Sequence, residues 1–391
     1  MEKRDIIIIG SGPAGISAAL SLSKLAPALA GGVLVLEKAT HPRQKLCGGG
    51  VTALADSILD FLEIKPNAAT YPIHKVRFFL TDKPIDFAKE NLMRIVRRDE
   101  FDAALVQHAK QAGIEIHENE PLQEIRRQNN RLVLRTNRQT YEAEVVVGAD
   151  GANSLVRRTL VRESPSRVAR LMEIAIPVDP EQTAEFQENM AVFDFRALRS
   201  DNLQGYLWEF PSLIKGKATL NVGAFDSRLD PRKRANLRKL LTDKLRDRGF
   251  ASDPTGLDGH PERWFAPEGK YAAPNVLLVG DAAGIEPWLG EGISMALAYG
   301  PVAARAIEHA FANKDFNFEH YTQLILKNRL GKLLNRNRRI ATFFYARQWH
   351  PLITTFTKAL RIYLGFKQKK WKRTPSKRGS SAALAATKHS P

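Results

Sequence analysis

The amino-terminal part of the chain combines short hydrophobic runs with one glycine-rich turn. Residues 5–9 (DIIII) are rich in β-branched side chains and predict a strand that is buried on both faces. A turn follows over 10–15, and residues 13–25 predict a helix. Residues 33–38 (VLVLEK) predict a second buried strand. A strand, a helix and a strand in this order are typical of a parallel α/β sheet.

Shorter patterns predict the elements that come next. Residues 74–88 predict a strand pair outside the first sheet, and residues 97–113 predict an amphipathic helix that is closed by a glycine. The segment IEIHE predicts a strand, and a hairpin turned at Asn129 and Asn130 follows it. The segment YEAEVVVGADG then predicts a strand that runs into a glycine turn.

The middle of the chain has the two-residue alternation of antiparallel strands. Four segments predict a separate sheet: LMEIAIPVD, MAVFDFRAL, GYLWEFPS and KATLNVGAF. Asp230 and Pro231 predict the N-cap and the first turn of a basic helix. The chain returns to a buried strand over 275–284, and residues 292–312 predict a further helix. The first domain is therefore predicted to be discontinuous.

Length, charge and cysteine content exclude some classes of protein but do not identify one. The length of 391 residues suits two lobes. The formal net charge of +17 attracts nucleic acid, anionic lipid or phosphorylated substrates, or serves solubility alone. Cys47 is the one cysteine, which excludes an intramolecular disulfide and favours a reducing compartment. No apolar run is long enough to predict a membrane span, and the glycine turn argues against a signal peptide at the start.

The glycine-rich turn has the spacing of a dinucleotide-binding motif. Gly10, Gly12 and Gly15 form G-x-G-x-x-G between a predicted strand and a predicted helix. The free N–H groups at the helix N-terminus favour a pyrophosphate. Glu37 ends the second strand, where a carboxylate can accept hydrogen bonds from the ribose hydroxyls of an adenosine. The spacing therefore predicts a dinucleotide site rather than a purely structural turn.

Two later stretches favour FAD over NAD. Asp150 and Gly151 follow one predicted strand, and Asp281 follows another just before a second glycine-rich turn. Asp281 can hold the ribityl chain of a flavin. The helix that starts near Gly292 can direct its N–H groups at the pyrimidine end of the flavin. NAD binding alone would need neither stretch.

The motifs G-x-G-x-x-G, D-G and G-D, in this order, resemble the flavoprotein class of para-hydroxybenzoate hydroxylase. Within it, KLCGGG, GYLWEFP and GDAAGIEPWLGEGI most resemble the geranylgeranyl reductase family. A departure occurs at Leu203, where these reductases often carry proline. The glycine motif and the resemblance together imply FAD contacts at Gly10, Gly12, Ala14, Gly15, Glu37, Lys45, Cys47, Gly48, Gly50, Arg98, Leu122, Asp281, Gly292 and Ile293. Arg97, next to Arg98, is the alternative for the inward-pointing arginine.

The predicted fold is α/β, with a Rossmann-like FAD-binding domain, an inserted antiparallel β-sheet substrate domain and a C-terminal helical region. The FAD-binding domain is predicted over 1–72, 95–165 and 270–312. The substrate domain is predicted over 73–94 and 166–269. A helical region over 313–373 and a disordered basic tail over 374–391 complete the prediction.

An aromatic segment is the candidate substrate wall. Tyr206, Trp208 and Phe210 share one face of a strand by the period of two. They form either the core of the sheet or one wall of a ligand cavity, and the resemblance favours the wall. With Pro287 they are the predicted substrate contacts, and an aromatic wall suits an isoprenoid chain.

The resemblance implies an FAD-dependent reductase that saturates carbon–carbon double bonds of a prenyl chain. Reduced flavin would supply the hydride, and Cys47 is the named candidate for a catalytic proton donor. The three glycines after Cys47 are expected to let the backbone lie against the flavin ring. NADPH or a reduced ferredoxin is expected to bind transiently as the electron donor, since no second strand-linked G-x-G-x-x-G is present.

Two other functions stay open at this point. A monooxygenase of the same fold is the enzymatic alternative. Halogenation is less favoured, because flavin halogenases typically carry W-x-W-x-I-P and here Tyr206 and Phe210 occupy its first and fifth positions. The non-enzymatic alternative is a basic flavoprotein that acts as a redox sensor or an accessory protein.

The carboxyl-terminal region is basic and aromatic. Its basic residues are interleaved with Trp349, Phe356, Tyr363, Phe366 and Trp371, which predicts either a helix on an anionic membrane or helices packed on the body. No motif for reading nucleic acid accompanies it, so no specific nucleic-acid partner is expected. The histidines show no metal-ligand spacing, and no metal is predicted. A cytoplasmic monomer is expected, with peripheral membrane contact as the alternative.

Overall fold

Two eight-stranded sheets organise the residues that the computed structural model describes, which are 1–161, 167–250, 256–347 and 355. The strands are β1 (Glu2–Ile9), β2 (Val33–Leu36), β3 (Gly50–Val51), β4 (Thr70–Phe79), β5 (Ile85–Val96), β6 (Glu115–His117), β7 (Leu122–Gln128), β8 (Arg131–Thr136), β9 (Thr140–Gly148), β10 (Val168–Pro177), β11 (Met190–Asp194), β12 (Gly205–Ile214), β13 (Lys217–Asp226), β14 (Asp258–Arg263), β15 (Ala272–Ala273) and β16 (Val276–Leu278). The helices are α1 (Pro13–Leu25), α2 (Pro27–Ala30), α3 (Ala53–Phe61), α4 (Arg98–Gln111), α5 (Ala184–Gln187), α6 (Ala197–Ser200), α7 (Leu237–Asp247), α8 (Ile293–Asn313), α9 (Tyr321–Lys327) and α10 (Arg329–Arg347).

The first sheet contains the parallel strands that the hydrophobic runs predict, together with antiparallel pairs at its edges. Its order is β15-β16-β9-β1-β2-β6, and the β7–β8 hairpin joins it through β9. The pairs of β1 with β2 and of β1 with β9 are parallel, and Ile6 lies opposite both Val33 and Val145. The four isoleucines that end β1 are at most 5% exposed, which explains the continuous hydrophobic run.

Helices α1 and α8 pack closely against each other beside this sheet. Gly300 makes the contact possible, because a Cβ placed there would lie 2.2 Å from the hydroxyl oxygen of Ser17. The Ser17 hydroxyl donates a hydrogen bond to the carbonyl of Leu297 over 2.7 Å. This packing places the N-termini of both helices at the same cavity, described below.

The second sheet contains the strands predicted for the middle of the chain. Its order is β14-β10-β13-β12-β11-β4-β5-β3. Its pairs are antiparallel except for β11 with β4, which are parallel. One face of the sheet packs on α7 through Leu220, Val222 and Leu241. The other face is turned toward the first sheet and carries the aromatic segment of β12.

The local structure differs from the prediction in two places. The basic helix does not begin at Asp230 and Pro231. It begins at Leu237, and the Asn236 side chain caps it by accepting a hydrogen bond from the Lys239 N–H over 3.1 Å. The Asp230 carboxylate instead binds the backbone and the guanidinium of Arg232. The nine-residue helix α3 follows the glycine loop and was not predicted.

The carboxyl-terminal region is described as far as α10. The predicted helical character is present in α9 and α10, and Tyr345 of α10 donates a hydrogen bond to the carbonyl of Trp288 over 2.6 Å. The aromatic residues from Trp349 to Trp371 and the predicted tail over 374–391 lie outside the described residues. Among the helices that are described, none combines the length and the apolar character needed to cross a bilayer.

Candidate active site

The glycine-rich turn joins β1 to α1 and leaves the end of that helix open. Gly10 has φ +103°, and a Cβ there would lie 2.5 Å from the carbonyl oxygen of Ala149. A Cβ on Gly15 would lie 1.9 Å from the carbonyl oxygen of Gly10. Gly12 is the N-cap of α1 and offers no side-chain cap, so the first N–H groups of the helix are free to bind an anion.

Glu37 lies at the end of β2 beside this turn and is 3% exposed. Its Oε2 accepts hydrogen bonds from the backbone N–H and the hydroxyl of Ser11, over 2.9 and 2.8 Å. Its Oε1 accepts one from the backbone N–H of Ala39 over 3.0 Å. A carboxylate offers about four acceptor positions, so capacity for a ribose hydroxyl remains.

A cavity of about 460 Å³ runs from this turn to the inner face of the second sheet. The residues predicted to bind cofactor or substrate that line it are Gly10, Gly12, Ala14, Glu37, Lys45, Cys47, Gly48, Gly50, Arg98, Leu122, Asp281, Gly292, Ile293, Tyr206, Trp208 and Phe210. Gly15 and Pro287 are not among the lining residues. Gly15 instead lies behind Gly10, and Pro287 is buried, so the geometry does not support a ligand contact for either.

The loop that carries Cys47 connects the two halves of the cavity. A Cβ on Gly48 would lie 3.2 Å from the Phe210 ring and 3.3 Å from the Trp208 ring nitrogen. Gly49 has φ +77°, and a Cβ there would lie 2.2 Å from the carbonyl oxygen of Val96. Contacts within the protein therefore require glycine at Gly49, whereas a Cβ on Gly48 would be in tight contact with the two rings. The loop is held in place by a hydrogen bond from the Cys47 N–H to Glu173 over 2.8 Å.

Arg98 begins α4 and forms a buried ion pair. Its Nε and Nη2 donate to the two carboxylate oxygens of Asp102, each over 2.9 Å, and Asp102 has no exposed surface. Burial alone would lower the pKa of Arg98, but the attraction of Asp102 outweighs it and raises the pKa. Arg98 lines the cavity, whereas its neighbour Arg97 pairs with Asp99 and does not. Of the two arginines, Arg98 is therefore the one that borders the cavity, and its contact with FAD stays a prediction.

The Cys47 thiol is protonated at neutral pH. Burial raises its pKa, and the nearby positive charge of Arg98 offsets only part of that effect. The sulfur accepts a hydrogen bond from the N–H of Gly49 over 3.4 Å. The thiol can therefore act as an acid but is a poor nucleophile in this state.

The aromatic wall is one face of β12. Trp208 lies over Gly223 of β13, where a Cβ would approach its ring to 2.1 Å, and its ring N–H donates to Asn221 over 2.6 Å. The hydroxyl of Tyr206 donates to the carbonyl of Leu289 over 2.5 Å. Because these polar atoms bond within the protein, the wall presents apolar ring surface to the cavity. Phe193 of β11 extends it, with its ring centroid 5.1 Å from that of Phe210.

The N-terminus of α8 also borders the cavity. Gly292 is its N-cap and again provides no side-chain cap. The loop before it is organised by Glu286, whose carboxylate accepts hydrogen bonds from the backbone N–H groups of Trp288, Leu289 and Glu291 over 2.7 to 2.9 Å. Burial raises the pKa of Glu286 to about 7, and these three hydrogen bonds act against that rise.

Sequence reasoning missed several titratable residues of the cavity, among them His260 and Glu262 on β14. Burial lowers the pKa of His260 to about 3, with the positive charges of Lys45 and Arg98 acting in the same direction. Burial raises the pKa of Glu262 well above its ordinary value. The segment DGHPER has no hydrophobic alternation that would predict a buried strand. The two-residue spacing of His260 and Glu262 was the one sign that their side chains share a face.

The donor set fits FAD. An uncapped helix N-terminus suits its pyrophosphate, and the buried Glu37 suits its adenosine ribose. Asp281 and the uncapped N-terminus of α8 line the same cavity. No group of three His, Cys, Asp or Glu side chains arranged to hold a metal ion occurs in the described ranges.

Comparison with known proteins agrees with this chemistry. The model of the FAD binding domain family matches residues 3–300. An uncharacterised protein of Methanosarcina barkeri is 31% identical over 328 residues, covering 81% of this chain and 78% of that protein. The menaquinone reductase of Mycobacterium tuberculosis is 28% identical, covering 78% and 77%. The digeranylgeranylglycerophospholipid reductase of Thermoplasma acidophilum is 26% identical, covering 86% of each chain.

A solved structure shares the fold. The geranylgeranyl bacteriochlorophyll reductase-like protein of Thermoplasma acidophilum superposes with a TM-score of 0.68, covering 89% of this chain and 87% of that one. The two sequences are 21% identical, so this similarity concerns the fold alone. It confirms the predicted combination of a Rossmann-like sheet and a second antiparallel sheet.

Proposed function

The chain belongs to the FAD binding domain family and is an FAD-dependent oxidoreductase, and we propose that it reduces isolated carbon–carbon double bonds of a prenyl chain. The observation that carries the proposal is the cavity itself. Its one end has the groups that suit a dinucleotide, and its other end has an apolar aromatic wall. Two relatives are named reductases of menaquinone and of a digeranylgeranyl phospholipid, which supports a prenyl substrate.

The residues of this chain hold, orient and enclose the reactants. Reduced FAD, when bound, supplies a hydride. The N-terminus of α1 and Glu37 hold the nucleotide end, and the Cys47 loop lies between that end and the wall. Trp208 and Phe210 offer flat surface along which a prenyl chain lies with one double bond in reach. Their apolar rings also exclude water, which an unactivated alkene requires because it is a poor hydride acceptor.

The electron donor and the cellular contacts belong to the proposal as well. NADPH or a reduced ferredoxin would reduce the flavin in a transient complex. A prenyl lipid resides in a bilayer, so the protein would meet its substrate at a membrane surface. The aromatic and basic residues from Trp349 to Trp371 are the candidates for that contact.

Product analysis tests the function directly. FAD-loaded protein is reduced with dithionite under anaerobic conditions and incubated with menaquinone, a digeranylgeranyl phospholipid and geranylgeranyl diphosphate. Mass spectrometry is expected to show a gain of two hydrogen atoms for each bond reduced. Trp208→Ala is expected to slow the reaction by removing part of the wall. Leu324→Ala is the matched control, because Leu324 is 41% exposed and does not line the cavity.

Two outcomes would overturn the proposal. If the reduced protein consumes oxygen in proportion to substrate and leaves every double bond intact, the enzyme is a monooxygenase. If no substrate changes although the flavin cycles between its redox states, the redox-sensor interpretation is favoured.

A further inference from the structure

The edge strand β14 directs two titratable side chains into the cavity. It pairs with β10 so that His260 lies opposite Leu171 and Glu262 lies opposite Ala169. His260 and Glu262 are two residues apart, so their side chains share a face, and both line the cavity. Glu262 is 5% exposed. A carboxyl group is therefore buried in the wall of a cavity to which β11 and β12 contribute aromatic rings.

The Glu262 carboxyl lies against the loop that starts α8. A Cβ on Gly290 would be 2.9 Å from its Oε2, and a Cβ on Gly292 would be 3.3 Å from its Oε1. Within the described residues, Oε2 is buried and has no hydrogen-bond partner. An unsatisfied buried polar atom costs about 1–3 kcal/mol, so its presence calls for an explanation. The position is at the end of the cavity where the flavin ring is expected.

Other carboxyl groups near this cavity accept hydrogen bonds from the protein, although Glu173 Oε2 and Asp150 Oδ1 are also buried without a partner among the described residues. Glu286 accepts three backbone hydrogen bonds, and Glu173 accepts the N–H of Cys47. Glu291 accepts the hydroxyl of Thr52. Glu262 differs from Glu286 and Glu173 because it lines the cavity and its Oε2 has no hydrogen-bond partner among the described residues.

The charges that act on Glu262 keep it neutral. Burial raises its pKa, and the negative charges of Asp281 and Glu286 raise it further. Lys45 is the cation that lowers it, and its effect is the smallest of the four. His260, on the same strand, is uncharged at neutral pH and adds no positive charge. The side chain is thus a carboxylic acid with a proton available inside an apolar site.

We propose that Glu262 is the catalytic acid that protonates the substrate, which rests on the reductase function proposed above. Reduced FAD, when bound, would supply a hydride to one carbon of the double bond and would be left oxidised. The other carbon accepts the proton of Glu262, so that two C–H bonds form and the O–H bond of the acid breaks. The resulting carboxylate regains its proton from solvent before the next turnover. Cys47, the donor expected from the sequence, then has no required role in proton transfer.

The test uses the FAD-loaded full chain and three readouts. Glu262→Gln keeps the shape but has no acidic proton. We expect it to bind FAD as the unaltered protein does and to lose one protonated-carboxyl C=O band in the infrared spectrum at neutral pH. Anaerobic oxidation of its reduced flavin by a prenyl substrate should slow by about 10²–10⁴-fold, the usual contribution of a general acid. Glu268→Gln is the matched control, since the Glu268 side chain is 65% exposed.

A second variant and the pH dependence test the same assignment. Glu262→Asp keeps a carboxylic acid at this position and should retain an intermediate rate. In the unaltered protein the rate should fall as the pH rises through the raised pKa of Glu262, and this fall should be absent in Glu262→Gln. The assignment is wrong if Glu262→Gln reacts normally with an unchanged pH profile, or if the infrared band persists in it. An unaltered protein that reduces no prenyl lipid at all overturns the reductase function, and the assignment with it.

Discussion

The ion pair between Arg98 and Asp102 supports both the fold and the cofactor site, and its contribution can be measured. Arg98→Met leaves Asp102, which has no exposed surface, with the Arg43 guanidinium 3.4 Å away as its remaining cation. Breaking one partner of a buried pair costs about 3–5 kcal/mol. Because Arg43 retains part of the attraction, we expect the free energy of unfolding to fall by about 3 kcal/mol, the lower end of that range. Asp102→Leu leaves a buried guanidinium and should cost about 5 kcal/mol.

The double variant measures how much stability comes from the interaction between Arg98 and Asp102. Arg98→Met with Asp102→Leu buries no charge, and such replacements are often close to neutral, so its cost should be at most about 2 kcal/mol. The coupling energy is then at least about 6 kcal/mol, measured by urea unfolding of the FAD-free protein. The exposed pair Lys239–Asp243 on α7 is the control, and its coupling should be far smaller because solvent screens both charges. A coupling below about 1 kcal/mol for Arg98 and Asp102 would refute the reasoning.

Three further changes have specific expected results. Gly15→Ala puts a Cβ 1.9 Å from a backbone carbonyl of the turn, so the protein should purify without flavin colour, whereas Gly31→Ala, with no atom within 4 Å, should stay yellow. Gly223→Ala puts a Cβ 2.1 Å from the Trp208 ring and should destabilise the protein by about 1–3 kcal/mol in urea unfolding, with a shifted tryptophan emission; unchanged emission would contradict the packing. The folded state holds a proton on Glu262 that the unfolded state releases, so stability should fall as the pH rises above the ordinary glutamate pKa. Urea midpoints of FAD-free Glu262→Gln should fall less between about pH 5 and pH 8, and parallel curves would contradict the raised pKa.

The elements that the sequence predicts best are those whose residues have one dominant reason to be there. The end of β1 is hydrophobic because it is buried on both faces, and α1 begins at Pro13 because the turn before it has a fixed glycine spacing. The start of α7 was mispredicted because Asp230 has a local alternative partner in Arg232. Side chains of Asp and Asn serve turns as well as helix caps, so a single Asp-Pro pair does not determine where a helix starts.

The residues of the site also fall into two groups, those that the sequence predicts and those that it does not. Glu37 and Arg98 were predicted because motifs and a family resemblance mark their positions, and both line the cavity. His260 and Glu262 were not predicted, because polar residues in a short segment normally indicate an exposed strand. Their burial follows from the pairing of β14 with β10 and from the cavity that the two sheets enclose together. Such long-range placement has no local signature in the chain.

The three glycines after Cys47 form a closely packed connection between the two halves of the cavity. Phe210 and Trp208 approach Gly48 so closely that any side chain there would meet their rings, and Gly49 lies against the backbone of β5. The aromatic wall and the loop therefore fix each other's positions, and a ligand that lies on the loop also lies beside the wall. A substitution at Gly48 should accordingly affect the nucleotide end and the substrate end together. This coupling explains why a backbone without side chains is needed between two sheets that are otherwise built from different kinds of residue.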